Sequence, residues 1–251
     1  MALDTSKNSY TIIFAVIMVV VVGTALAGLS NGLKPLVEAN QRAEKMQNIL
    51  YTLGFNENEG ESDVRKISTD VVEEEFNKYI KAQYYIQDGE LIEDDEAYLI
   101  SLPKEENKLR RDSEYKRRLP LIVAEKEGED VYVIPLLGSG LWDAIWGFIA
   151  LDKEMVVQGV YFGHDGETPG LGAEISQRYF MDPFEGEHLL DENGRFMGVE
   201  VTKGNQDPRN ARKKDHKVDA IAGSTITGDG VTAMIKNTLR MYLPYFKSLK
   251  E

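Results

Sequence analysis

Residues Leu119–Phe162 read LPLIVAEKEGEDVYVIPLLGSGLWDAIWGFIALDKEMVVQGVYF, and this stretch decides the fold class. It divides into four short runs rich in Val, Ile and Phe: Leu119–Ala124, Val131–Leu137, Ala144–Leu151 and Met155–Phe162. Runs of this length, bounded by Gly and acidic residues, are strand signals. Arg195–Thr202 supplies a fifth. Strands grouped in sequence with helices around them predict an α+β domain, with a mostly antiparallel sheet and flanking helices.

Working outward, the C-terminal segment places Val231, Met234, Ile235, Thr238, Leu239 and Tyr242 on one helical stripe, with Pro244 near its end. A helix is expected near Gly172–Phe180. Another is expected from about Asp70, as a cap answered by Glu73, to about Lys81. Asn56–Asp63 is polar and turn-like. Tyr84–Asp95 is charged, and so is Lys104–Arg118, KEENKLRRDSEYKRR, with seven basic and four acidic residues. That segment reads as a solvated loop or hairpin, with a partner-docking strip as the alternative.

At the other end, Tyr10–Leu29 (YTIIFAVIMVVVVGTALAGL) is 20 residues without a charge. At about 1.5 Å per residue it spans the ~30 Å of a hydrocarbon core, so a single N-terminal transmembrane helix is expected ahead of the soluble domain. Ala25-Leu26-Ala27 also resembles a signal-peptide cleavage site, but the apolar run continues to Leu33. Lys34–Leu53 continues the helical pattern after a bend at Pro35, and Gly54 is its stop. The flanking charges, Lys7 before the span and Lys34, Arg42 and Lys45 after it, leave orientation open, because Glu38 and Glu44 intersperse the second group. Three regions result: a tail and anchor over 1–33, a helical and charged membrane-proximal region over 34–118, and the main domain over 119–251.

Composition narrows the chemistry. The 251 residues carry 29 Lys+Arg against 42 Asp+Glu, a net charge of −13, with no Cys. Nucleic-acid binding is disfavoured, since it requires a basic footprint. Disulfides, thiolate iron–sulfur ligation and CxxC redox chemistry are excluded. His164, His188 and His216 are far apart in sequence and lack metal-ligand spacing, so no metal is expected; His164 alone adjoins a glycine-rich loop.

Three glycine-rich segments remain: Gly138-Ser139-Gly140-Leu141-Trp142, Gly166–Glu174 (GETPGLGAE) and Asp219–Thr227 (DAIAGSTIT), the last immediately before the C-terminal helix. Glycines let backbone N–H groups approach a planar or anionic ligand, and a helix N-terminus favours phosphate. Thr225 and Thr227 are both placed for that role, while Thr227 or Asp229 could instead simply cap the helix.

With these motifs together, the chain resembles the family of C subunits of sodium-translocating NADH:quinone reductases, within the wider family of covalent FMN-binding domains. The resemblance covers nearly the whole chain. Its D-x-x-x-G-x-T segment matches the flavinylation motif D-x-x-S-G-A-T, whose last Thr carries FMN through a phosphoester bond; carried over, that residue is Thr225. The chain departs from the pattern by reading Ala222-Gly223-Ser224-Thr225, and retains Asp219, Gly223 and the acceptor. The resemblance implies that Glu167, Thr168, Leu171 and Gly172 lie beside the FMN, with Trp142 as an aromatic neighbour, Ser224 flanking the acceptor, and Lys203 as a weaker carry-over.

It also implies an electron-relay subunit without catalytic acid–base residues of its own. Its partners would be other membrane and flavin-bearing subunits and a flavin transferase, in a complex coupling NADH oxidation and quinone reduction to sodium export. The domain would sit on the outer face of the cytoplasmic membrane. Alternatives are a flavinylated subunit of a ferredoxin:NAD electron-transport complex, a non-redox extracytoplasmic binding module and, least supported, a flavin transferase.

Overall fold

The computed structural model describes residues 8–59, 63–207 and 209–250. The expectations about Lys7, the N-terminal tail and the middle of the Asn56–Asp63 turn therefore lie wholly or partly outside the described residues. The chain forms two compact units, one up to Ala43 and one from Glu44 onward.

Helix α1 runs Asn8–Thr52 and continues as helix through Pro35. In the first unit its apolar side chains are exposed, and one window reaches a mean hydropathy of 2.8, long and apolar enough to cross a membrane. In the second unit Asn48–Thr52 are buried. Phe55 N–H donates to Leu50 O at 2.9 Å and Gly54 N–H to Tyr51 O at 2.9 Å, which closes the helix at the expected glycine.

The second unit is built on a six-stranded antiparallel sheet of order β2-β1-β3-β4-β5-β6. The strands are β1 Ile80–Gln87, β2 Glu90–Glu93, β3 Leu119–Lys126, β4 Glu129–Ser139, β5 Ala144–Leu151 and β6 Val157–His164. The four apolar runs between Leu119 and Phe162 are thus the contiguous β3–β6 meander. A separate parallel pair joins β7 Glu200–Thr202 to β8 Lys217–Asp219. The helices are α2 Val72–Tyr79, α3 Leu102–Arg111, α4 Arg178–Met181, α5 Thr225–Arg240 and α6 Leu243–Ser248.

Helix α5 lies against β4, and its expected stripe (Val231, Met234, Ile235, Leu239 and, beyond its end, Tyr242) is buried. Tyr242 OH donates to Pro120 O at 2.8 Å. Phe162, Phe180 and Phe184 form an aromatic cluster between β6 and the segment around α4, with ring centroids 5.2–6.0 Å apart.

Several local expectations are corrected. Tyr84–Asp95 is mostly a hairpin: Gln87 pairs with Glu90 across Asp88-Gly89, both at positive φ, as a two-residue turn requires. The preceding helix ends at Tyr79, and its N-cap is Val71 with no side-chain bond, so Asp70 does not cap it. Lys104–Arg118 begins as helix α3, because the carboxylate of Glu105 turns inward as a buried hub. It accepts bonds from Lys108, from Tyr115 OH, and from the guanidinium and backbone N–H of Arg118. Burial alone would raise this carboxyl; the bonds overcome it and hold it at about 2.

The Arg195–Thr202 run shortens to β7, since Gly198 breaks the extension at φ +71° where a Cβ would meet Lys236 Cγ at 2.7 Å. The Gly172–Phe180 helix is a 3-10 turn over Gly172–Ser176 followed by the single turn α4. Pro244 starts α6 rather than closing α5.

Candidate functional site

The three glycine-rich segments meet around one carboxylate. Glu167 is only 4% exposed. Its Oε2 accepts Thr227 Oγ1–H at 2.6 Å and its Oε1 accepts Trp142 N–H at 2.9 Å. Burial would raise this carboxyl, but the Thr227 hydroxyl and the N–H groups of Trp142, Asp143 and Leu141 hold it below the ordinary value. Glycines flank both of its oxygens. A Cβ at Gly172 would strike Glu167 Oε2 and lie 2.7 Å from Thr227 Oγ1, and one at Gly140 would strike Oε1. Two motif glycines therefore let the β4–β5 loop, the GETPG loop and the start of α5 close on one ionised group. His164 Nδ1 accepts Glu167 N–H at 3.3 Å, which seats the same loop from the strand side.

Thr225 is the first residue of the 16-residue helix α5 and is exposed. Its N-cap Ser224 makes no capping bond, and neither Thr227 nor Asp229, the alternative caps, occupies the cap position. The first-turn N–H groups of any α-helix lack intrahelical acceptors, and here the capping residue leaves them open. Ser224 is 6% exposed and its Oγ is buried without a hydrogen-bond partner. Thr227, the other threonine considered for a phosphate, is buried and its hydroxyl belongs to Glu167.

The remaining sequence-derived residues divide. Gly223 has φ +79° and packs against Leu171, where a Cβ would lie 3.0 Å from Leu171 Cδ2. Thr168 is exposed, and its carbonyl accepts Leu171 N–H and Ala173 N–H to form the loop. Trp142 is 70% exposed, Ile226 57%, Leu141 48% and Leu171 41%, large apolar side chains in the same segments. Lys203 is exposed after β7, and Asp219 ends β8, where its Oδ1 accepts Asn205 N–H at 3.0 Å. Both belong to the strand pair that leads into the Thr225 loop rather than to the cluster around Glu167.

Sequence reasoning did not single out Gly140, Leu141, Ile226 or the Glu167–Thr227 bond; only the glycine spacing of GSGLW hinted at Gly140. His188 and His216, distant in sequence, are neighbours, with His216 Nδ1 2.7 Å from His188 O. Among the described residues, no three His, Asp or Glu side chains gather as a metal site.

FMN fits what is present: an uncapped helix start with an orphaned buried hydroxyl for the phosphate, and exposed apolar side chains for a planar ring. The FMN-binding domain family matches residues 140–240. Among curated relatives, the C subunit of the Na(+)-translocating NADH-quinone reductase of Pseudomonas aeruginosa is 30% identical over 92% of this chain and 91% of its own length. The C subunit of the Neisseria meningitidis enzyme is 27% identical over 98% and 96%. The crystal structure of the Parabacteroides distasonis C subunit superposes with a TM-score of 0.70 at 31% identity, covering 85% of this chain and 96% of that one. That of Shewanella oneidensis NqrC, at 21% identity and TM-score 0.66, shares the fold. With a long apolar helix ahead of an antiparallel sheet and near-complete coverage of these relatives, this chain belongs to the family of Na(+)-translocating NADH-quinone reductase C subunits.

Proposed function

We propose that this chain is an FMN-bearing electron-relay subunit of a membrane complex that couples NADH oxidation and quinone reduction to sodium export, with FMN held through a phosphoester on Thr225. The observation that carries the reading is the contrast between two threonines in the first turn of α5. Thr225 is exposed at an uncapped helix start, whereas Thr227 is buried on Glu167. Bound there, FMN supplies the redox chemistry through its isoalloxazine while its phosphate is engaged in the ester.

The chain's own residues position and shield. The first turn of α5 presents N–H groups and the positive end of its dipole to a phosphate. Glu167 fixes the start of α5 to the GSGLW and GETPG segments. Trp142, Leu141, Leu171 and Ile226 offer apolar surface to a planar ring. Asp219 orders the 203–205 turn behind the loop.

The domain is taken to lie on the outer face of the membrane, anchored by α1. A flavin outside the cytosol has no replenishing pool, so a covalent tether keeps it in place; the reading includes a flavin transferase that forms the ester. Mass spectrometry of the protein from a host coexpressing such a transferase tests it. The Thr225 peptide is expected to gain the mass of FMN less one water; a folded, unmodified domain under those conditions overturns the proposal.

A further inference from the structure

The chain is strongly acidic, yet residues Lys203 to Lys217 run the other way: Lys203, Arg209, Arg212, Lys213, Lys214 and Lys217 against Asp207 and Asp215. This segment connects the parallel strands β7 and β8. Its described residues are held on the domain by their own bonds. Asp207 Oδ2 accepts Arg212 N–H at 2.7 Å, Asn210 Nδ2 donates to buried Glu187 at 2.9 Å, and Lys213 Nζ donates to Pro183 O at 2.7 Å. Two cations are thereby engaged, since Arg212 also pairs with Asp207 and Asp215. Lys203, Arg209, Lys214 and Lys217 are exposed, and none forms an ion pair among the described residues.

We propose that this loop is a docking surface for an acidic patch on a protein partner, at the edge of the Thr225 site. The inference rests on the reading of Thr225 as the flavin-bearing residue. Sign is the first argument. A partner patch of carboxylates is repelled by most of this acidic domain and attracted here, so the loop sets orientation as well as encounter rate.

Position is the second. Thr202, the residue before Lys203, accepts Ala220 N–H at 2.9 Å, and Ala220 begins the short link to Thr225. A partner seated over the Lys203 end of the loop therefore lies beside the link to Thr225, while Lys217, opposite Glu200 in the parallel pair, marks the far end of the same surface. An anionic bilayer fits less well. A plane of headgroups meets a whole face of a domain whose net charge is negative, whereas a protein patch meets only the loop within a screening length of about 8–10 Å.

The test uses the assembled complex carrying flavinylated full-length chain. A carbodiimide, which joins a lysine amine to a touching carboxylate with loss of water, is applied at low and high salt and the products mapped by mass spectrometry. Expected are salt-sensitive links from Lys203, Lys214 or Lys217 to Asp or Glu of another subunit. The double variant Arg209→Glu with Lys214→Glu should keep the Thr225 adduct and the unfolding midpoint, yet slow reduction of its flavin by NADH on the order of tenfold; Arg209→Gln with Lys214→Gln should fall between. The proposal is overturned if these lysines acetylate equally in complex and free protein without cross-links, or if the double variant is reduced at the wild-type rate. It is equally overturned if vesicles of phosphatidylglycerol, rather than the complex, protect the loop. Wild-type protein lacking FMN on Thr225 would sink the functional reading instead, and the cross-links would still decide whether the loop meets carboxylates.

Discussion

Thr227 Oγ1 donates a 2.6 Å hydrogen bond to Oε2 of Glu167, a residue sixty positions earlier in the chain, and both groups are buried. That bond separates the two threonines at the start of α5 into a structural one and an accessible one. It also ties the helix that begins at Thr225 to two loops that are remote in sequence.

We predict that Thr225→Val abolishes covalent FMN while leaving the unfolding midpoint nearly unchanged, because Thr225 is exposed and caps nothing. Thr227→Val should do the reverse: lose ~1–2 kcal/mol of stability through the unsatisfied Glu167 oxygen, yet keep an adduct on Thr225. Denaturing-gel fluorescence and urea unfolding read the two outcomes. Fluorescence persisting in Thr225→Val would contradict the assignment.

Glu167→Gln is expected to cost ~2 kcal/mol, since an amide has one acceptor oxygen where the carboxylate has two. Because Glu167 is held below its ordinary value, its stabilisation is present above the usual carboxylate range and is lost as pH falls through the folded value. The gap between wild type and Glu167→Gln should therefore narrow in acid. Gly140→Ala or Gly172→Ala should each cost ~1–3 kcal/mol by forcing a methyl into the carboxylate. Midpoints equal to wild type for both alanine variants would refute the close packing.

Glu187 makes a pH prediction of opposite sign. It is fully buried, with Oε1 bonded by Asn210 and Oε2 unpartnered. Burial pushes its carboxyl up to about 7; Asp215 and Asp207 add to this, while Asn210 and Lys213 oppose it. The unfolded chain loses this proton near the ordinary value and the folded domain only near 7, so stability falls as pH rises across that window. Glu187→Gln should unfold like wild type near pH ~4.5 and be more stable by on the order of 2 kcal/mol at pH ~8. A constant difference across that range would remove Glu187 as the titrating group.

Glu105→Ala should destabilise by about 3 kcal/mol, because Arg118, Lys108 and Tyr115 lose a shared buried acceptor. Since that carboxyl is held at about 2, the wild-type advantage should persist through mildly acidic pH and vanish only as pH approaches that value. Thermal unfolding of both proteins at acidic and neutral pH checks this.

Legibility followed the range of the forces involved. The β3–β6 meander was readable because each strand carries its own β-branched and apolar run, and α5 because its buried stripe recurs at helical spacing. The β1–β2 hairpin was missed although Asp88-Gly89 marks its turn, because IKAQYYIQ is half-buried almost throughout and shows no clean alternation. The charges of 104–118 predict a solvated loop or hairpin; only the fold shows helix α3 there, with Glu105 pointing inward to a partner thirteen residues on. The strand expected over Arg195–Thr202 failed at Gly198, whose positive φ accompanies close packing against Lys236.

By itself the sequence determined the long apolar helix, the antiparallel character of the sheet, the family and the residue that matches the flavinylation motif. These depend on composition, periodicity and motif spacing, all local to the chain. The tertiary structure decided which of two neighbouring threonines is accessible and why Gly140 and Gly172 lack side chains. Those are contacts between segments distant in sequence, which exist only once the chain has folded.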